Sequence, residues 1–105
     1  PSLSDAYVNL GRLHHQLGDV AAAIVLYRQG LQHAADDPVI HFNLALALED
    51  AKETDSALAH YDHAVHLDPN FADAHFNLGR LLEALGRHEQ ALRHLLAYRR
   101  LTKKK

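Results

Sequence analysis

Cysteine is absent from this 105-residue chain, which excludes disulfides, thiolate metal sites and cysteine nucleophiles together. Methionine is absent as well, so a chain that starts at Pro1 reads as a processed or excised piece. No apolar run, the Ala21–Leu26 segment included, approaches the roughly 18 residues that a membrane span needs. No Lys/Arg-flanked apolar segment opens the chain, so no secretory signal is visible and the expected setting is cytoplasmic. Three prolines and five glycines are too few for a low-complexity linker. Ser2, Ser4 and Ser56 lack a glycine-elbow context, and no glycine-rich loop could cradle a phosphate. A chain this short also offers no deep pocket, so neither enzyme activity nor a cofactor is expected.

What remains is an ordinary globular composition, 48% hydrophobic and 23% charged, with room for a single domain over residues 1–105. Charge is unevenly spread. Three basic residues stand against eleven acids in residues 1–79, and eight against two in residues 80–105. That gradient favours head-to-tail association or an acidic partner at the C-terminal end, while Lys103, Lys104 and Lys105 read as a solvated tail over 102–105. No continuous basic stripe is interleaved with exposed aromatics, so nucleic acid is not an expected partner, and neither is a membrane.

The organising feature is a repeat of 34 residues. Asn9-Leu10-Gly11, Asn43-Leu44-Ala45 and Asn77-Leu78-Gly79 recur at that spacing, as do Ala23, Ala57 and Ala91. Tyr27 maps onto Tyr61 and Leu95, Gly18 onto Lys52 and Gly86, and Tyr7 onto His41 and His75. The units run over 4–37, 38–71 and 72–105. Within each, apolar residues fall three and four apart, as on a helix: Tyr7, Leu10, Gly11, His14 and Leu17; Leu44, Leu48 and Ala51; Leu78, Leu82 and Leu85. Gly18 and Gly86 then mark helix ends. A second helical run follows through Ala23, Ile24, Tyr27 and Leu31, and its counterparts Ala57, Leu58, Tyr61 and Val65. Asp37-Pro38 reads as a cap followed by proline at the first helical position, and Asn70 as the cap of the fifth helix. Small residues at Gly11, Ala45, Gly79, Ala23, Ala57 and Ala91 let the paired helices approach. One pair of helices cannot bury its own apolar face, so the copies must stack.

These residues, with Ala64 and the Leu67-Asp68-Pro69 ending, resemble the tetratricopeptide repeat family over Ser4–Leu101. The resemblance implies an all-α, right-handed solenoid of three helix-turn-helix repeats, six antiparallel helices in all. It further implies a scaffold that binds another protein, with the first helix of each pair lining a concave groove for an extended peptide. On those helices Asn9, Asn43 and Asn77 would hold peptide backbone, since an amide both donates and accepts. This resembles the asparagine ladder in the tetratricopeptide arm of O-linked N-acetylglucosamine transferase, which makes a substrate-recruiting arm of a larger enzyme one alternative. Val8, Phe42, Leu46 and Phe76 are apolar where a solvent face should be polar, and Arg12 and Arg80 would pair acidic groups. The family's two-carboxylate clamp is disfavoured, because Val8 offers no donor and Asp73 would repel a carboxylate.

The copies also depart from one another. Lys52 replaces a turn glycine, so that loop is expected to be looser or to hold a strained residue. Gly30 and Tyr98 stand where Ala64 is small, and no polar capping helix follows Leu101. Leu92, Leu95, Tyr98 and Leu101 are therefore expected to present an apolar end face for self-association. Ten histidines are unusual. His60, His63 and His66 lie three apart on one helix; neighbours in that series can share a divalent ion, although all three cannot converge. They are the weak metal candidates in a chain otherwise expected to hold no metal. His41 and His75 are expected to pack between helices.

Overall fold

The computed structural model describes residues 2–103; Pro1, Lys104 and Lys105 lie outside it, and with them the end of the expected basic tail. Six helices follow one another: α1 (Leu3–Gln16), α2 (Val20–His33), α3 (Pro38–Asp50), α4 (Thr54–Leu67), α5 (Ala72–Ala84) and α6 (His88–Thr102). They pair as α1/α2, α3/α4 and α5/α6, and each pair packs on the next through α2 against α3 and α4 against α5. The architecture is an all-α solenoid of three repeats. Among the described residues no helix is long and apolar enough to cross a membrane.

Local chemistry sets the helix ends. The Ser2 hydroxyl accepts from the Asp5 N–H, and the Asp5 carboxylate accepts in return from the Ser2 N–H, both at 3.2 Å. Asp37 caps α3 by accepting from the Val39 N–H at 2.9 Å, with Pro38 as the first helical residue. The cap expected from Asn70 is not made. The Asp68 carboxylate accepts from the Asn70 N–H at 3.1 Å, closing a turn one step early, so Phe71 stands at the cap position of α5. Gly18 and Gly86 leave their helices at φ +85° and +80°. Lys52 does the same at +66°, so the loop is no looser than its neighbours and holds its residue in the left-handed region.

The small residues let the paired helices approach closely, a Cβ added at Gly79 lying 3.3 Å from the Ala91 carbonyl oxygen, and they also seat large side chains. A Cβ added at Gly11 would lie 2.6 Å from Tyr27 Cε1, and one at Gly79 would lie 2.8 Å from Leu95 Cδ2. The glycines therefore make sockets for a large side chain on the second helix. Tyr27 and Tyr61 fill their places with no exposure at all.

The core runs through the middle pair. In α3, Ile40, Leu44, Ala45, Ala47 and Leu48 are all fully buried, so this helix is covered on nearly every side. The leucine of the Asn-Leu-Gly/Ala triplet shows why. Leu44 and Leu78 are 0% and 3% exposed, each beneath the pair before it, whereas Leu10, in the first of the described pairs, is 45% exposed. Leu10 thus leaves the expected core stripe, and Leu17, Ala51 and Leu85 leave it too, because each sits at or near a helix end.

Candidate functional site

The first helices α1, α3 and α5 form one wall. Arg80 of α5 reaches back to α3, where its Nη2 donates to both Glu49 carboxylate oxygens at 2.8 and 3.0 Å. His15 near the end of α1 meets Asp50 at the end of α3 in the same way. Glu49 also accepts from the Tyr61 hydroxyl at 2.7 Å. Burial, then this bond, pushes the Tyr61 phenol well above its ordinary range, and the bond to Glu49 raises the Arg80 guanidinium. Arg80 further donates to Asn77 Oδ1 at 3.3 Å, and Asn77 Nδ2 donates to the Asp73 carbonyl at 2.9 Å.

This network changes what the expected groove residues can do. Asn9 and Arg12 are exposed on α1, while Val8 is buried at 7%. Asn43 is buried and Asn77 is bonded within its own helix, so the three asparagines do not present three equivalent amides. Arg80 is held by Glu49. Of the expected apolar members, Val8 is buried and the other three reach the surface to different degrees. Phe42 and Leu46 are half-buried and Phe76 is exposed. Phe42 lies with its ring centre 4.9 Å from Phe71 and 6.0 Å from Tyr61. Phe76 lies 4.9 Å from Tyr98. Tyr98, too large for the place held by Ala64, therefore packs sideways on α5.

At the C-terminal end, Leu95 is taken up by the Gly79 socket, Tyr98 and Leu101 are half-buried, and Leu92 and Leu96 are exposed. Of these, Leu96 is the one sequence reading missed, since it falls between the spacings that relate the other four. A hollow of about 560 Å³ lies away from the first-helix wall among α4, α5 and α6. Leu58, Leu78 and Leu82 line it together with Asp62, Arg87 and Arg93. This hollow is open to the surface, in the space between the second helices of adjacent pairs, and is not a deep enclosed pocket.

The histidines gather in an unexpected set. His41, on α3, is buried as its packing role requires, with its ring stacked 5.2 Å from His60. Its Nε2 lies 2.9 Å from the Ala35 carbonyl, which can only accept, so Nε2 carries the proton. Its Nδ1 lies 3.0 Å from His60 Nδ1. His63 stands edge-on to both rings, at 5.0 Å from His41 and 6.0 Å from His60. One ring nitrogen from each of the three lies within 4.8 Å of the others. His66 is not part of this cluster; it turns away to the Asp62 carbonyl and carboxylate. His60 titrates at about 4, lowered by burial and then by His41, Arg28 and His63. The pairing recurs one repeat later: His75 Nε2 meets the Pro69 carbonyl at 2.8 Å, and its Nδ1 meets His94 Nδ1 at 3.0 Å. Burial, then His75, lowers His94 likewise.

Profiles of the tetratricopeptide repeat match residues 4–47, 38–71 and 60–93. The TPR repeat-containing thioredoxin TTL4 of Arabidopsis thaliana is 32% identical over 92 residues, covering 88% of this chain and 14% of that protein. Across three curated relatives the chain spans 14% to 21% of their length. The first TPR of Spaghetti (RPAP3), bound to the HSP90 peptide SRMEEVD, superposes with a TM-score of 0.91 at 22% identity, covering 97% of this chain and 81% of that one. The crystal structure of MamA superposes with a TM-score of 0.89 at 20% identity, covering 97% and 60%.

Proposed function

The chain belongs to the tetratricopeptide repeat family, and from that premise we propose that it is a protein-interaction module whose first-helix wall takes an extended segment of a partner. The observation that carries this reading is the row Phe42, Leu46 and Phe76, apolar on the wall, with Phe76 41% exposed. An exposed aromatic beside half-buried neighbours is the usual anchor point of an interface. Asn9 and Arg12 flank the row and supply polar contacts to backbone and to an acidic side chain. An acidic C-terminal tail of the SRMEEVD kind, held by two of the solved neighbours, suits this wall poorly. Val8 is buried, Asp73 is exposed and Arg80 already holds Glu49. The favoured segment carries apolar side chains and low negative charge. The same wall also suits the recruiting arm of a larger enzyme.

A second reading rests on the two ends. Leu10 on α1 and Leu92 and Leu96 on α6 are exposed where adjoining repeats would cover them. Copies stacked head to tail would bury both faces. One pair of variants separates the readings. A Phe76→Ala/Arg12→Ala chain is expected to lose about tenfold or more in affinity for peptides selected from a display library, with mass by light scattering unchanged. A Leu10→Lys/Leu92→Lys chain that loses mass supports assembly through the ends, and a Phe76→Ala/Arg12→Ala chain that keeps full peptide affinity counts against the wall.

A further inference from the structure

We propose that His41, His60 and His63 form a binding site for a zinc-type divalent transition-metal ion that pins α3 to α4, a role separate from peptide capture. The ligand set crosses helices: His60 and His63 come from one face of α4, and His41 enters from α3. Two nitrogens bound to one zinc at about 2.0–2.1 Å with a tetrahedral angle stand about 3.3 Å apart. His41 Nδ1 and His60 Nδ1 are 3.0 Å apart, close to that separation before any ion arrives. A ring nitrogen of His63 lies within 4.8 Å of a ring nitrogen of each of the other two, and its side chain is exposed and able to turn toward the ion.

The support of His41 fits the same purpose. A metal-bound imidazole characteristically donates its other N–H to a carbonyl or carboxylate, which fixes the tautomer and aims the free lone pair. His41 does this through Nε2 to the Ala35 carbonyl, leaving Nδ1 unprotonated and directed at α4. In the metal-free chain His60 then supplies the proton between the two Nδ1 atoms. On binding, that proton passes to His60 Nε2 and the ion takes its place, so a neutral site stays neutral apart from the ion. A hollow of about 200 Å³ lined by Ala35, Asp36, His41, His63, His66 and Leu67 adjoins two of the three ligands and leaves room for a water beside them. All three ligands are imidazoles, which suits zinc, copper, nickel and cobalt and disfavours calcium and magnesium.

Packing alone does not account for the arrangement. Tyr7 holds the His41 place in the first repeat and stacks on His33 at 5.7 Å, so the slot accepts a ring without nitrogens. The third repeat supplies the internal control. His75 and His94 reproduce the pair and its carbonyl support, but Ala97 stands where His63 would be. The third repeat therefore has two ligands and the second has three.

Titration of the untagged full chain with zinc chloride after chelator treatment, followed by calorimetry, tests the proposal. The expected result is one ion per chain, with cobalt substitution giving the visible absorption bands of a tetrahedral site. His63→Ala, on the exposed side of α4, is expected to weaken binding by about tenfold or more, a scale reached even by loss of a ligand's hydrogen-bond partner. Its metal-free circular dichroism and melting temperature should match the parent, separating lost ligation from lost folding. Ala97→His is expected to raise the stoichiometry to two. A His63→Ala chain that binds zinc as tightly as the parent overturns the proposal and assigns the ion to scattered surface histidines; a parent chain that takes up no stoichiometric ion overturns it outright.

Discussion

The second and third repeats are two solutions to one packing problem. In the second, the small residue is Ala45 and the large one Tyr61, both fully buried, whereas in the third Gly79 faces Leu95, whose branch lies 2.8 Å from where a Cβ would be. The tyrosine extends its hydroxyl to Glu49; the leucine has no such reach, and the equivalent Glu83 pairs with His88 at 2.7 Å. Position in the stack widens the difference. The second pair is covered on both sides and buries Ala57, Tyr61, Ala64 and Val65 of α4, while the third buries only Ala91 of the equivalent α6. The repeat preserves a backbone register, and each copy fills that register with its own side chains according to what lies on either side.

The sharpest way to break the comparison is to empty both sockets. Tyr61→Ala removes a fully buried ring at the centre of the stack and is expected to cost about 3–5 kcal/mol. Leu95→Ala removes a half-buried side chain at the end and is expected to cost about 2 kcal/mol. Urea unfolding monitored by circular dichroism measures both. Equal costs would show that position in the stack carries no weight.

Much of this was legible beforehand and some was not, for identifiable reasons. The 34-residue register, the six helices, the Asp37-Pro38 start and the left-handed glycine turns depend on residues close together in the chain. Tyr27 and Tyr61 follow from the register, because large residues must fall opposite small ones. The site was less legible, because it depends on which helix meets which. His41 was readable as a packing group, yet its rotation toward α4, which brings it to His60 and His63, is set by the angle between helices. Glu49 and Arg80 lie 31 residues apart, and only the step from one pair to the next joins them. That pair removed Arg80 from the free cations of the wall, and no spacing rule announces it.

A finer test turns on two tyrosine hydroxyls in equivalent places. Tyr61 OH donates to Glu49, whereas Tyr27 OH is buried and, among the described residues, without a partner. The cause lies at the place of Glu49 in the first repeat, which His15 holds while facing Asp50. A hydrogen bond to a charged group contributes about 1.5–3 kcal/mol, and a buried unpaired hydroxyl is itself a cost. Tyr61→Phe is therefore expected to destabilise by about 1.5 kcal/mol, and Tyr27→Phe to be neutral or stabilising by up to about 1 kcal/mol. Denaturant midpoints of opposite sign confirm the asymmetry; two losses of similar size would mean that the Tyr27 hydroxyl has a partner in solution.

The smallest expected effect sits in the turns. The N–H of residue 18, 52 or 86 donates to the carbonyl three residues earlier at 3.0 Å in every repeat, so the three turns share one hydrogen-bond geometry. Only Lys52 takes up the left-handed conformation with a Cβ, at a cost of about 1–2 kcal/mol. Replacing it by glycine removes that strain but adds about 0.5–1 kcal/mol of unfolded-state freedom. The difference leaves Lys52→Gly stabilising by about 0.5–1 kcal/mol, and Gly86→Lys destabilising by a similar amount. Because both turns are exposed and a Cβ at Gly86 meets nothing within 4 Å, no packing change confuses the reading. A Lys52→Gly chain no more stable than the parent would mean that the lysine aliphatic stem offsets the strain through contacts of its own.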